Sequence, residues 1–285
     1  VIGLNVCMLV GRADVRVAFT GDTCGQGWGI DEARGGFRTY ESMLRAEPDL
    51  FVHLGDTVYP DNPLVPEVVL DDGTIWRNLV TPAKAKVAET LDEFRGNHLY
   101  NRLDGHLRRF EAAVSQVVLW DDHEVANNWC PGEVLDDPRY TERSVDLLAA
   151  RARRAFLEHY PIRRSAADPE RIYRRVPFGE SVEVFALDMR SERGRNSANR
   201  QEAYGPEAAL LGPSQLQWLK ASLADSRARW KVVASDMPIG LVVGDGPGVY
   251  EAVANADDGR PLGREHEIAS LLSFLKAHDV RNVVW

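Results

Sequence analysis

The sequence predicts an α/β fold with a largely parallel sheet. Two observations predict it: short runs of β-branched or apolar residues bounded by turn residues, and helical patterns alternating with those runs along the chain. The first run, residues 15–20, stops at Gly21-Asp22, and a helical pattern at residues 36–46 follows. The second, residues 50–54, stops at Gly55-Asp56, and helical patterns in two or more pieces fill residues 83–115. A third run at 117–120 precedes a helical pattern at 141–159. Runs at 181–187 and 230–235 enclose a helix at 214–226, whose Leu216, Leu219 and Leu223 make a core-facing stripe. A helix at 264–278 leads into the last run, residues 282–285. Such βαβ units put helices on the sheet faces and ligands at the carboxyl ends of strands. Segments 21–29, 55–63, 121–132, 188–200 and 236–248 are therefore where chemistry is expected. Residues 60–82 and 242–262 read as long surface insertions.

A chain of 285 residues with 44% hydrophobic and 27% charged residues suits one large, well-cored α/β domain. The formal net charge of −9 argues against nucleic-acid binding through a broad basic surface. It leaves two readings open, plain solubility or a group of Asp residues neutralised by bound cations. Cys7, Cys24 and Cys130 are too few and too irregularly spaced for a disulfide framework. No apolar run is long enough to span a bilayer, and the first residues lack the pattern of a signal peptide.

Three strand-end motifs stand out. Asp22 lies in Gly-Asp-Thr-Cys-Gly-Gln-Gly-Trp-Gly, residues 21–29, where glycines let backbone approach a ligand closely, although Gly-Asp is also an ordinary turn. Asp56 and Tyr59 lie in Leu-Gly-Asp-Thr-Val-Tyr, residues 54–59. Carboxylates at two neighbouring strand ends can hold two cations through a shared oxygen, and hard cations favour such ligands. The Tyr59 phenol suits iron, or is an amphipathic aromatic at a loop edge. The third motif, Trp-Asp-Asp-His-Glu at residues 120–124, places four ionisable side chains directly after an apolar strand, so a cation, mutual pairing or water must satisfy them. A histidine inside such a cluster points to chemistry. His53, within the second strand, is either a donor behind the site or a packed core residue.

Together with Leu-Asp-Met-Arg at residues 187–190, these motifs resemble the PhoD-like alkaline phosphatases, a branch of the calcineurin-like metallophosphoesterases. The resemblance runs from about residue 15 to residue 285. It implies a four-layer α/β/β/α sandwich of two mixed sheets and metal-dependent hydrolysis of phosphate esters. Asp22 matches the family's first metal ligand, Asp56 the bridging carboxylate and Tyr59 the phenolate ligand of iron. Asp122 matches a ligand of the second metal and His123 an acid near the leaving group. Asp236 stands where the superfamily has a metal-binding histidine. Cys24 is an alternative iron ligand, but Asp22 sits at the ligand position and a soft thiolate suits Ca2+ poorly. Arg190 and Arg193 are candidates for clamping phosphate oxygens, with Asn128 beside them as a substrate-binding residue. Arg195 reads as solvated, and Asp188 as a residue that orients its neighbours.

The implied cofactors are two or more metal ions, Fe3+ with Ca2+, with Mn2+ or Zn2+ as alternatives. The implied substrates are small-molecule, lipid or cell-wall phosphate esters, monoester and diester both being open, and export to the periplasm or the exterior is implied as well. The family carries further metal ligands after a strand like residues 282–285. The chain is accordingly expected to be a fragment, with residues 1–14 ending a preceding linker or domain and residues 15–285 forming the metallophosphatase domain. A non-catalytic metal-binding domain is the reading if those ligands are absent.

Overall fold

A computed structural model of the chain describes residues 5–9 and 15–285. The chain divides into two compact units, Val1–Asn127 with Gly132–Arg171, and Asn128–Pro131 with Ile172–Trp285. The first contains β1 (Asn5–Leu9), β2 (Val15–Thr20), α1 (Arg38–Arg45), β3 (Leu50–His53), β4 (Glu67–Val69), β5 (Ile75–Arg77), α2 (Leu91–Asn101), α3 (Gly105–Ala113), β6 (Ser115–Val118) and α4 (Val145–His159). Its main sheet has the order β1-β2-β3-β6, with β1 antiparallel to β2 and the other pairs parallel. Thr20 is level with His53, and His53 with Val118, so the three parallel strands end together.

β3 is buried along its whole length, as expected of a central strand covered on both faces. Phe51 packs there against Tyr40 and Met43 of α1 and Phe110 of α3. Each such side chain contributes about 1.5–3 kcal/mol by leaving water. The helices begin where the sequence offers caps. Thr90 and Glu93 form a reciprocal capping box at α2, and the Asp104 carboxylate accepts the His106 and Leu107 amides at α3. Asp104 also accepts the Phe37 amide at 2.9 Å, which ties the start of α1 to the start of α3.

The second unit contains β7 (Arg174–Phe178), β8 (Val182–Ala186), α5 (Gly212–Asp225), β9 (Trp230–Ala234), β10 (Val242–Gly244), β11 (Tyr250–Ala252), α6 (Glu265–Ala277) and β12 (Val283–Val284). Its sheet order is β12-β9-β8-β7, parallel except for the antiparallel edge strand β7. Leu219, Leu223, Ile268 and Leu271 from α5 and α6 bury against Phe185 and Val233. The chain is thus a mixed α/β protein with one mixed four-stranded sheet in each unit.

Strands also occur within the connecting segments. Residues 60–82 and 242–262 each hold a two-stranded antiparallel hairpin, β4-β5 and β10-β11. Of residues 1–14, expected to end a preceding linker or domain, Asn5–Leu9 pairs with β2, and residues 1–4 and 10–14 lie outside the described residues.

Candidate metal centre

The common end of β2, β3 and β6 positions the first group of functional side chains. Asp22 follows β2 with φ 58° and Asp56 follows β3 with φ 53°, a left-handed conformation that Asp tolerates better than most residues. The Asp22 amide donates to the Gly55 carbonyl at 3.2 Å and the Thr23 amide to the Asp56 carbonyl at 2.8 Å, lacing the two loops together. The third loop approaches so closely that a Cβ on Gly55 would sit 2.5 Å from the Asp121 Cβ.

Oxygen or nitrogen atoms of Asp56, Asp122 and His123 lie within 4.8 Å of one another, and all three residues are buried. The His123 amide donates to Asp56 Oδ1 at 3.2 Å, and the Tyr59 hydroxyl donates to Asp56 Oδ2 at 2.8 Å. The Tyr59 and His123 rings stack obliquely, their centroids 4.5 Å apart. His123 Nδ1 pairs with Asp61 Oδ2 at 2.7 Å, while Asp61 Oδ1 is buried with no hydrogen-bond partner.

Glu124, 1% exposed, braces the loops from behind. It accepts the amides of Asp56 (3.3 Å), Thr57 (2.6 Å) and Asp121 (2.7 Å) and the Thr57 hydroxyl (2.6 Å). His53 hydrogen-bonds Thr23 Oγ1 through Nε2 at 2.7 Å, and Thr23 in turn meets the Tyr40 hydroxyl at 2.5 Å. Burial lowers the His53 pKa to about 4, so it is a neutral link behind the Asp22 loop.

Electrostatics set these residues up for a cation. Burial, then the charges of Asp122 and Glu124, hold the Asp56 carboxyl well above the ordinary carboxylate range. Asp22 is exposed, yet desolvation against its loop raises its carboxyl; His123 opposes that shift and Asp122 adds to it. For His123 burial opposes the charge, but the hydrogen bond and charge of Asp61, then Asp122 and Asp56, outweigh it and raise the pKa to about 9. Burial pushes Glu124 up to about 7 against the hydrogen bonds it accepts. Burial and the Asp56 and Asp22 charges also keep the Tyr59 phenol protonated. Crowded carboxylates of this kind, with an imidazole beside them, fit a hard or borderline cation, whose charge removes their mutual repulsion. Asp56 and Asp122 are the buried ligands such an ion would take, with Asp22 and Tyr59 in the same loops. Cys24 is engaged elsewhere: its thiol donates to the Trp28 carbonyl at 2.7 Å, and burial raises it to about 12.

The remaining candidates gather within the second unit. Arg190 Nε donates to Asp236 at 3.1 Å, and Arg190 and Arg193 both reach Glu251 Oε1, at 2.7 and 2.8 Å. Asn196 and Asn128 each donate to Asp245 at 2.8 Å. Asp236, implied as a metal ligand, therefore faces a guanidinium. Asp188 accepts the Arg190 and Ser191 amides and the Ser191 hydroxyl. Asp61, Asp245 and Glu251 were not singled out from the sequence. Asp61 has only a turn-like Pro-Asp-Asn-Pro context, although it follows Asp56 by five residues in the same strand-end loop.

The fold is mixed α/β, and it gathers carboxylates and a histidine at coincident strand ends in a group able to hold a metal ion. Residues 18–285 match the family described as PhoD-like phosphatase, and the chain belongs to that family. It is 32% identical over 262 residues to alkaline phosphatase D of Bacillus subtilis (strain 168), covering 88% of this chain and 42% of that protein. It also resembles a solved structure of PhoD with a TM-score of 0.64 and 26% identity, over 95% of this chain and 53% of that one. The chain thus spans less than half the length of the curated relative and about half of the solved one.

Proposed function

We propose that the chain hydrolyses phosphate esters at the centre built on Asp22, Asp56, Tyr59, Asp122 and His123. The observation that supports this reading best is the convergence of Asp56, Asp122 and His123 within 4.8 Å, in a chain of the PhoD-like phosphatase family. Asp56 and Asp122 hold the ions, Fe3+ with Ca2+ in this reading, and Asp22 and Tyr59 complete the ligand set from neighbouring loops. Bound there, such ions supply Lewis acidity toward phosphoryl oxygens and bring the pKa of water to about 7.

His123 is the general acid. Asp61 fixes Nδ1 and favours the imidazolium, which leaves Nε2 to carry the proton for the departing alkoxide. Glu124 holds the loops of Asp56 and Asp121 in register, and the Tyr59 hydroxyl orients Asp56. Monoesters and diesters both belong to this reading, as does export, which the family resemblance alone supports. No helix among the described residues is long and apolar enough to cross a membrane.

The His123 proximity to Asp56 and Asp122 also supports a second reading, in which His123 is itself a ligand. Metal analysis with side-by-side assay of nitrophenyl phosphate and bis-nitrophenyl phosphate tests both. The wild-type chain is expected to hold metal and turn over at least one ester, and a metal-free, inactive preparation that ions do not restore would refute hydrolysis. His123→Ala is expected to keep its metal and to lose turnover of alkyl phosphates far more than of nitrophenyl phosphate; loss of the metal would make His123 a ligand.

A further inference from the structure

The glycine-rich motif at residues 21–29 contains more than the metal chemistry uses. Trp28 is 39% exposed, an unusual position for the largest apolar side chain, and lies six residues from Asp22. Trp76, from the hairpin in the 60–82 insertion, meets it edge to face, with ring centroids 5.7 Å apart and an interplanar angle of 89°. Trp76 is pinned by its Nε1, which donates to the Gly29 carbonyl at 3.2 Å and to Asn78 Oδ1 at 3.0 Å. Asn78 also accepts the Gly29 amide at 2.6 Å and donates to the Gly27 carbonyl at 2.9 Å. The Arg34 guanidinium lies over the Trp76 ring, 5.5 Å from its centroid. Gly29 cannot be larger, because a Cβ there would overlap the Tyr100 hydroxyl and lie 2.5 Å from Leu64 Cδ1.

Trp28, Gly29 and Trp76 line a half-open cavity of about 270 Å3 together with Asp22, Phe37, Arg38 and Met43 among others. Asp22 is thus shared between the candidate metal centre and an aromatic pocket whose walls are held in place before any ligand arrives. Apolar pockets with few polar groups beside a reactive centre bind the unreactive part of a substrate. Edge-to-face aromatic walls favour a ring over a chain.

We infer that this cavity is a leaving-group subsite, taking a ring-sized apolar group on the alcohol side of the phosphate ester. The inference rests on the hydrolytic reading of the neighbouring centre, and it makes Trp28 and Trp76 specificity-determining residues.

Benzyl phosphate and methyl phosphate test it, because both lose an unactivated alkoxide and differ in the ring. On the metal-loaded chain the benzyl ester is expected to have a kcat/KM at least about tenfold higher. Trp76→Ala and Trp28→Ala should each lower the benzyl-to-methyl ratio several-fold, whereas Trp76→Phe, which keeps a ring, should retain most of it. Trp28→Ala alters an exposed rim residue, so it reports even if Trp76→Ala fails to fold. Calorimetric titration with benzylphosphonate and methylphosphonate gives a readout independent of turnover. Tighter benzylphosphonate binding that weakens in Trp28→Ala, with no hydrolysis of either ester, would support the subsite and sink the hydrolytic reading. Equal affinities, or a ratio that survives both alanine variants, would overturn the subsite whatever the activity.

Discussion

Asp61 shows how much one side chain contributes to the site without being visible in the motifs. Its carboxylate holds His123 Nδ1 at 2.7 Å and accepts the Asn127 amide at 3.0 Å, so it fixes both the ring and the loop behind it. With that charge removed, burial still lowers the His123 pKa and only the Asp122 and Asp56 charges oppose it, so the pKa falls and the ring holds its proton less well. Asp61→Asn, which preserves shape, should therefore reduce kcat for alkyl phosphates by about 10²-fold, within the range of general acid catalysis. Nitrophenyl phosphate, whose leaving group needs no proton, should suffer much less. Parallel kinetics on the two esters check this, and equal losses would remove His123 as the acid. The convergence of Asp56, Asp122 and His123 was legible because each sits in a motif directly after an apolar run. Asp61 was not, because nothing local distinguishes it from a turn residue and its partner is 62 positions away. Glu124 was legible as a charge needing a partner, but its role as the acceptor for three backbone amides depends on how the loops meet.

Strands and helices were the most readable level. β2 coincides with its predicted span, and β3, β8 and β9 differ by one or two residues, because a buried parallel strand is a continuous apolar run. β7 was missed because Arg-Arg-Val-Pro-Phe contains a proline, which a sheet tolerates at the edge position that β7 occupies. The hairpins were missed because strands of three residues, such as Glu-Val-Val and Ile-Trp-Arg, are too short to show a period. The pairing of α2 with α4 likewise depends on a contact between distant segments. Arg95 reaches both Glu158 oxygens, at 2.7 and 3.0 Å, and α2 in turn supports the Asp56 loop through Asn101, which donates to the Thr57 carbonyl at 2.7 Å. Hydrogen bonds from Arg95 and then Arg154 lower the Glu158 pKa to about 2. A depressed carboxylate stabilises the fold above its unfolded pKa and loses that contribution as pH falls through the folded value. Wild type should thus resist urea better than Glu158→Gln near neutrality, with the gap closing between about pH 4.5 and pH 2. The pair is partly exposed, so the gap should be modest and shrink with salt. A gap independent of pH would show that the helices are held by packing alone.

For the whole molecule, the formal charge of −9 left open whether acidic residues serve solubility or bind cations. Within the first unit Asp56 and Asp122 are buried together, and within the second Asp236 and Glu251 are matched by arginines. Only the first group has carboxylates pressed on one another, and the cost falls on stability. Because Asp56 is raised in the folded state, its contribution is full below the ordinary carboxylate range and is lost as pH rises. At neutral pH a metal-free chain should therefore be penalised by this group. Asp56→Asn, which cannot ionise, should melt at a higher temperature than wild type when both are stripped of metal at pH 7. The difference should narrow toward pH 4 as the wild-type carboxyl protonates. Loading reverses the order. An ion at about 100 times its Kd stabilises the native state by about 2.7 kcal/mol, a gain of several degrees for a chain of this size. Wild type should show that gain with Ca2+ or Fe3+, and Asp56→Asn should lose most of it. Thermal melts of both proteins, stripped and loaded, with metal content measured alongside, make the comparison. If loading moves both melts equally, Asp56 does not hold the ion; if stripped wild type is already the more stable, its carboxylate has a partner other than metal.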